Sequence, residues 1–260
     1  MAGKNESVGK TLLVAFLVCL VCAVVVSTAA VSLRPVQQKN QTLDRRVNIL
    51  LAADLCQPGM DVEKAFNTIE RKFIDLETGE YVEKPDSYDQ LKAAKDPERS
   101  ERLSGEEDIA GIKSQADVAE VFLARNDDGE LSRIILPVRG YGLWSTLYGF
   151  MALEADGKTI AGLGFYQHGE TPGLGGEVDN PKWKALWEGK KLYDEDGDIA
   201  IEVVKGSVDS GTPNAENKVD GLAGATLTSK GVSNLVRFWV GEKGFGPYLE
   251  RMRNQSGGEA

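Results

Sequence analysis

From Thr11 to Leu33 the chain reads TLLVAFLVCLVCAVVVSTAAVSL with no charged residue, and beyond it the apolar positions become periodic. As a helix rising about 1.5 Å per residue, that run reaches across the ~30 Å hydrocarbon core of a bilayer, which predicts one membrane-spanning helix over 11–33. Leu43, Val47, Leu50, Leu51 and Leu55 then recur at helical spacing and predict a helix continuing outward from the membrane. A second helix is expected in PGMDVEKAFNTIERKF, opened by Pro58, Gly59 and Asp61, with Val62, Ala65, Phe66, Ile69 and Phe73 on one face. Residues 78–114 are dense in charge and poor in large apolar side chains, the pattern of a solvated excursion, with some helix in YDQLKAAKDPERSERL. From about Val118 the pattern shortens to strands. LSRIILPV is one, and Asp156-Gly157 between two apolar, aromatic-rich runs marks a hairpin. Asn180-Pro181 opens a short helix with Trp183, Leu186 and Trp187 on one face, and IAIEVVKG reads as another strand. Val232, Leu235, Val236 and Trp239 fall at i, i+3, i+4 and i+7, so a last helix is expected to begin near Ser229. Strands joined by hairpins with few crossover helices predict an α+β fold, with an antiparallel sheet and flanking helices after the N-terminal transmembrane helix.

Composition narrows the function classes. The 260 residues carry 30 Lys+Arg against 40 Asp+Glu, a formal charge of -10 that opposes binding to nucleic-acid phosphates. One histidine, His168, and three cysteines leave little material for a metal site or a disulfide framework. Cys19 and Cys22 form a CxxC inside the uncharged run, where they read as packing residues. A cleaved signal peptide competes with an anchor, since Ser27 and Ala29 are small residues before a possible cut. The apolar run is longer than a signal core, which favours a retained anchor. Lys4 and Lys10 precede the span while Arg34, Lys39, Arg45 and Arg46 follow it, so the charge count does not favour an inside N-terminus. Long domains translocate largely regardless of charge, and the expectation is a short cytoplasmic tail with the domain outside. The span holds no ionisable residue and so offers no ion path of its own.

Neither a GxGxxG after a strand nor GxxxxGK[ST] is present, so no nicotinamide or ATP site is expected. Two glycine-rich loops remain. HGETPGLGGEVDNP (168–181) has glycines that permit positive φ and close approach to a flat ligand, and a turn without a ligand explains them equally well. DGLAGATLTSKGVSNLVRFW (220–239) gathers Thr226, Thr228 and Ser229 ahead of a helix. Those hydroxyls cap free helix amides, with Thr228 best placed to do so, or else the same amides and the helix dipole serve a phosphate. Small residues at Ala223, Gly224 and Ala225 leave room around the Thr226 hydroxyl.

Taken together, ETPGLGGEVDNPKW, DGLAGATLTS, PVRGYGLWSTLYGF and the single N-terminal anchor resemble the C subunit of the Na+-translocating NADH:quinone oxidoreductases, over essentially the whole chain. In that family a Ser/Thr-Gly-Ala-Thr motif carries FMN, its last threonine esterified to the flavin phosphate by a flavin transferase. Here that residue corresponds to Thr226, with Asp220, Gly224 and Ala225 retained and Ala223 standing where a hydroxyl residue is usual. The resemblance implies covalent FMN at Thr226, flanked by Leu222, Gly224 and Ala225. It also implies approach of Trp144 and Ser145, and of Glu170, Thr171, Gly173, Leu174 and Gly175. Trp144 is the natural aromatic neighbour unless it is a core residue, and His168 is read as structural. On this reading residues 1–10 are a cytoplasmic tail, 11–33 the transmembrane helix, 34–117 a helical and charged linker region and 118–260 an FMN-binding domain. The implied protein is an electron-relaying subunit in the bacterial inner membrane with its domain on the periplasmic side. NADH oxidation, quinone reduction and sodium movement would belong to partner subunits. The related G subunit of the Rnf-type complexes and a tethered module holding flavin non-covalently are the competing readings.

Overall fold

The computed structural model describes residues 8–53, 55 and 61–256, and divides into one unit ending at Asp44 and another beginning at Arg45. Pro58, Gly59 and Lys4 lie outside the described residues. A single helix, α1 (Val8–Ala52), takes in the whole uncharged run as well as the helix expected after it. Its large apolar side chains between Leu12 and Leu33 are exposed all round. That surface suits hydrocarbon and not water, and α1 is long and apolar enough to cross a membrane once, which makes it a single-pass anchor. Cys19 and Cys22 are exposed too, so they are not packed within this chain as expected.

In chain order the second unit contains α2 (Val62–Phe66), β1 (Ile69–Asp75), α3 (Gln90–Ala93), β2 (Ser100–Arg102), β3 (Ser114–Ala116), β4 (Val118–Arg125) and β5 (Leu131–Tyr141). There follow β6 (Thr146–Glu154), β7 (Ile160–Gln167), α4 (Pro181–Lys184), β8 (Glu202–Val203), β9 (Lys218–Val219), α5 (Thr226–Val240) and α6 (Gly246–Ser256). Strands β1, β4, β5, β6 and β7 lie in that order, each antiparallel to its neighbour. The α+β antiparallel expectation is met. Because side chains alternate along a strand, Val121, Ile134, Leu136 and Met151 share one face with Leu235 and Val236 of α5. Phe122, Ile135 and Phe150 take the other face, over Ile49 and Leu50 at the end of α1.

Three local expectations are corrected. The helix of PGMDVEKAFNTIERKF stops at Phe66, and Ile69–Asp75 becomes a strand, paired with β4 from Ile69↔Ala124 to Asp75↔Val118. Ile69 and Phe73 satisfy a helix period, but ladder pairing and burial of Phe73 and Ile74 override it. The segment expected as a linker therefore contributes an edge strand, and the folded unit starts at Arg45 instead of residue 118. Leu186 is 37% exposed, because the backbone tightens into a 3-10 turn over Ala185–Trp187 while Trp183 and Trp187 stay buried. Within IAIEVVKG only Glu202–Val203 is a strand, parallel to β9.

The hairpin at Asp156-Gly157 forms as expected, with Asp156 Oδ1 accepting from the Lys158 and Thr159 amides and Gly157 at φ +63°. At the opposite end of the same strands lie the β5–β6 connection, Gly142–Ser145, and the exit of β7. The start of α5 meets them there. An added Cβ at Gly231 would stand 2.5 Å from the Tyr141 carbonyl oxygen, so glycine lets the helix lie directly on the end of β5.

Candidate functional site

Two turns of the same construction shape this end of the molecule. Thr171–Leu174 closes with the Leu174 amide donating to the Thr171 carbonyl at 3.1 Å, and Gly173 sits third at φ +75°. Leu222–Ala225 closes with the Ala225 amide donating to the Leu222 carbonyl at 3.0 Å, and Gly224 sits third at φ +72°. Positive φ at the third position defines a type II turn, in which glycine is strongly preferred. The turns touch, since a Cβ on Gly224 would meet Leu174 Cδ2 at 3.0 Å.

Glu170 holds the surrounding segments together. Its Oε1 accepts from the Leu143, Trp144 and Ser145 amides at 3.1, 3.0 and 3.2 Å. Its Oε2 accepts the Thr228 hydroxyl of α5 at 2.7 Å. The carboxylate is buried, and glycines make its space: an added Cβ would lie 2.6 Å from Oε1 at Gly142 and 2.7 Å from Oε2 at Gly175. Burial pushes the carboxyl up. The Trp144 amide, the Thr228 hydroxyl and the Leu143 and Ser145 amides outweigh that and hold it below the ordinary 4.5. Ser145 adds a second tie by accepting the Gly169 amide on Oγ at 2.6 Å. His168 adds ties of its own: Nδ1 accepts from the Glu170 amide at 3.2 Å and Nε2 faces Asp179 Oδ2 at 2.7 Å.

Helix α5 begins at Thr226, three residues before the expected Ser229, and its N-cap Ala225 supplies no side-chain hydrogen bond. Thr228 is therefore not a cap. It lies one turn before Val232, on the face that packs inward, and its hydroxyl is spent on Glu170. Ser229 is buried as well, its Oγ accepting from the Leu222 amide at 2.9 Å. Thr226 alone of the three hydroxyl residues points to solvent. Around it Ala223 and Gly224 are exposed, and so are Thr171, Gly173 and Leu174. Leu222, Ala225 and Gly175 are buried beneath them. Trp144 is 67% exposed and is no core residue, and Leu174 and Leu227 are 44% and 58% exposed.

Asp220 supports this floor, accepting the Trp183 indole N–H on its carbonyl and the Val208 amide on Oδ1, both at 2.8 Å. Leu227 is an exposed apolar neighbour that the sequence did not single out. The inward turn of Thr228 and Ser229 has a sequence signal: they precede Val232 by four and three residues, so the apolar face runs back onto two hydroxyls that need buried partners. A solvent-facing hydroxyl, an uncapped helix start and exposed apolar side chains beside it form a surface suited to a phosphate with an attached planar group.

Comparison with known proteins adds an independent finding. Residues 142–241 match the FMN-binding domain family. The chain is 56% identical over 256 residues to the C subunit of the Na(+)-translocating NADH-quinone reductase of Pseudomonas aeruginosa, covering 96% of this chain and 98% of that one. It is 49% identical to the same subunit of Yersinia pestis, covering 96% and 95%. The crystal structure of Shewanella oneidensis NqrC superposes with a TM-score of 0.75 at 38% identity, covering 84% of this chain and 99% of that one. The C subunit from Parabacteroides distasonis gives 0.65 at 29% identity, covering 84% and 96%.

The Glu170 tie carries a pH signature. A carboxyl held below its unfolded value stabilises the fold fully above about pH 4.5, and that contribution is lost as pH falls through the folded-state value. Glu170→Gln removes the charge and mismatches one donor, at a cost of roughly 1–3 kcal/mol near neutrality. Urea unfolding followed down through the glutamate range should show a steeper acid loss in wild type than in Glu170→Gln. Parallel curves would contradict the assignment.

Proposed function

The chain belongs to the C-subunit family of the Na(+)-translocating NADH-quinone reductase, and from that premise we propose that Thr226 carries the FMN through an ester with the flavin phosphate. The protein is a flavoprotein subunit of that oxidoreductase. One observation carries the attachment site: Thr226 is the exposed hydroxyl at the first turn of a helix whose cap offers the amides no side-chain acceptor, while Thr228 and Ser229 are buried and bonded.

The residues present fit such a group. A phosphodiester beside the α5 amides is favoured by about 0.3–1 kcal/mol at an exposed helix start. The Gly224 turn keeps bulk away from the hydroxyl, as do the small residues Ala223 and Ala225. Trp144, Leu174 and Leu227 offer apolar surface to a flat ring. Bound FMN supplies electron transfer, and attachment through phosphate leaves its ring chemistry intact. This chain's residues then hold and orient the flavin. The Glu170 tie fixes the Trp144 loop and α5 relative to one another, and the Thr171–Leu174 turn brings Leu174 against Gly224. A flavin transferase installs the cofactor, and other subunits of the complex oxidise NADH, reduce quinone and move sodium. The relatives' names support the quinone reductase over the Rnf-type reading. We place α1 in the bacterial inner membrane with the folded unit on the periplasmic side, a placement the flanking charges do not oppose, because a long domain translocates largely regardless of them.

Thr226→Val, co-expressed with a flavin transferase, is expected to lose in-gel flavin fluorescence while the fold survives. Thr228→Val should keep the flavin and lose roughly 1–3 kcal/mol of stability, because Glu170 Oε2 loses its donor. Fluorescence that persists in the first variant and vanishes in the second would move the site to the other hydroxyl. Fluorescence lost from wild type on denaturation would indicate non-covalent binding.

For the topology, protease added to intact spheroplasts should digest the folded unit and leave an N-terminal fragment that begins before Thr11. A mature protein starting near Ala30 would remove the anchor, and protection of the folded unit would reverse the orientation.

A further inference from the structure

Away from Thr226, a cavity of about 30 Å³ opens beside β5 and β6, with Arg45, Arg139, Tyr148 and Tyr166 in its wall. Arg139 and Tyr148 are partners in the β5–β6 ladder, and the Tyr148 and Tyr166 rings lie 6.4 Å apart. The hydrogen-bonding balance is unusual. The cavity's one carboxylate, Glu120, is buried and shared, accepting from Arg45 Nη2 at 3.0 and 3.1 Å and from Arg71 Nε at 3.0 Å. Gln90 Oε1 is taken by the Glu120 amide. The Arg139 guanidinium reaches only the Ser114 carbonyl, at 2.7 Å, and among the described residues it has no ion-pair partner. Asp108, the carboxylate whose charge acts on Arg139, spends both oxygens on the Ile112 and Lys113 amides. Neither phenol donates to a described group.

Arg45 and Arg71 thus share Glu120, Arg71 donates as well to the Asp86 and Tyr88 carbonyls, and Arg139 is the cation of the wall left without a carboxylate. Arginine stays charged even when burial pushes its pKa down, and the half-buried Arg139 guanidinium has no carboxylate to offset it. The phenol of Tyr166, raised by burial, stays protonated at neutral pH as a donor. A space of about 30 Å³ admits a carboxylate group and no nucleotide. We propose that this cavity is an anion site that takes one carboxylate-sized monovalent anion, held by Arg139 with the Tyr148 and Tyr166 hydroxyls as further donors. The carboxylate comes from a free small acid or from an acidic side chain of an adjoining subunit entering past Leu91, which is 38% exposed at the rim.

The test is thermal unfolding of the full-length chain in detergent, titrated with sodium acetate while a bulky sulfonate salt holds ionic strength constant. Wild type should show a midpoint rise that saturates near about 5 °C. In Arg139→Gln the rise should vanish, because the cation that holds the carboxylate is gone. Tyr148→Phe combined with Tyr166→Phe should shift half-saturation about tenfold and serves if Arg139→Gln does not fold. A linear, non-saturating response shared by all chains overturns the proposal. The same titration on the intact complex separates the sources. A saturating response there means a free anion. Its disappearance in wild-type complex, with Arg139→Gln protein washing out of the complex more readily, means a protein carboxylate.

Discussion

The carboxylate of Glu170 is the interaction on which the rest of the site depends. Three consecutive amides of the β5–β6 connection converge on one of its oxygens and the Thr228 hydroxyl on the other. Those donors come from segments far apart in the chain, and the Thr228 hydroxyl would be an unpaired buried group without it. Glycine at positions 142 and 175 provides the room, and glycine at 231 lets α5 approach the end of β5 closely enough for Thr228 to reach. The hydroxyl pattern follows from this geometry. Once Thr228 is committed inward and Ser229 is bonded to Leu222, Thr226 is the hydroxyl of the turn left at the surface.

The sheet behind the site explains why so small a set of contacts suffices. Strands β5 and β6 are packed on both faces, by α5 on one side and by the end of α1 on the other, so the loop they carry rests on a rigid base. Sites built on such elements hold their geometry better than sites on free loops. The exposed apolar side chains beside Thr226 lie at the outer end of this base. A ring attached there stays near the surface, where partners in an electron-transfer complex can approach it.

Much of this was legible in the sequence, for stated reasons. The uncharged run specified the anchor because bilayer thickness sets its length, and Asp156-Gly157 specified its hairpin through local turn chemistry. The motif marks the glycine turns and singles out Thr226 as the proposed attachment residue. What escaped was non-local. Ile69 and Phe73 fit a helix until β4 offers a ladder partner, and the start of α5 shifted to Thr226 because Thr228 has a buried acceptor 58 residues away. Glu170 appeared among the site residues, yet nothing in the order of residues joins it to Leu143–Ser145 before the hairpin brings them together. Trp144, open as ring neighbour or core residue in the sequence, is exposed and so is no core residue, while its place beside a flavin belongs to the proposal.

The central claim is that the chain carries FMN on one chosen hydroxyl, and peptide mass spectrometry of the protein taken from its native membrane tests it most directly. The account predicts that the peptide containing residues 220–230 carries the mass of FMN less one water, with fragment ions that place the adduct on Thr226 and leave Thr228 and Ser229 unmodified. An unmodified peptide, or an adduct on either of the other two hydroxyls, would contradict it.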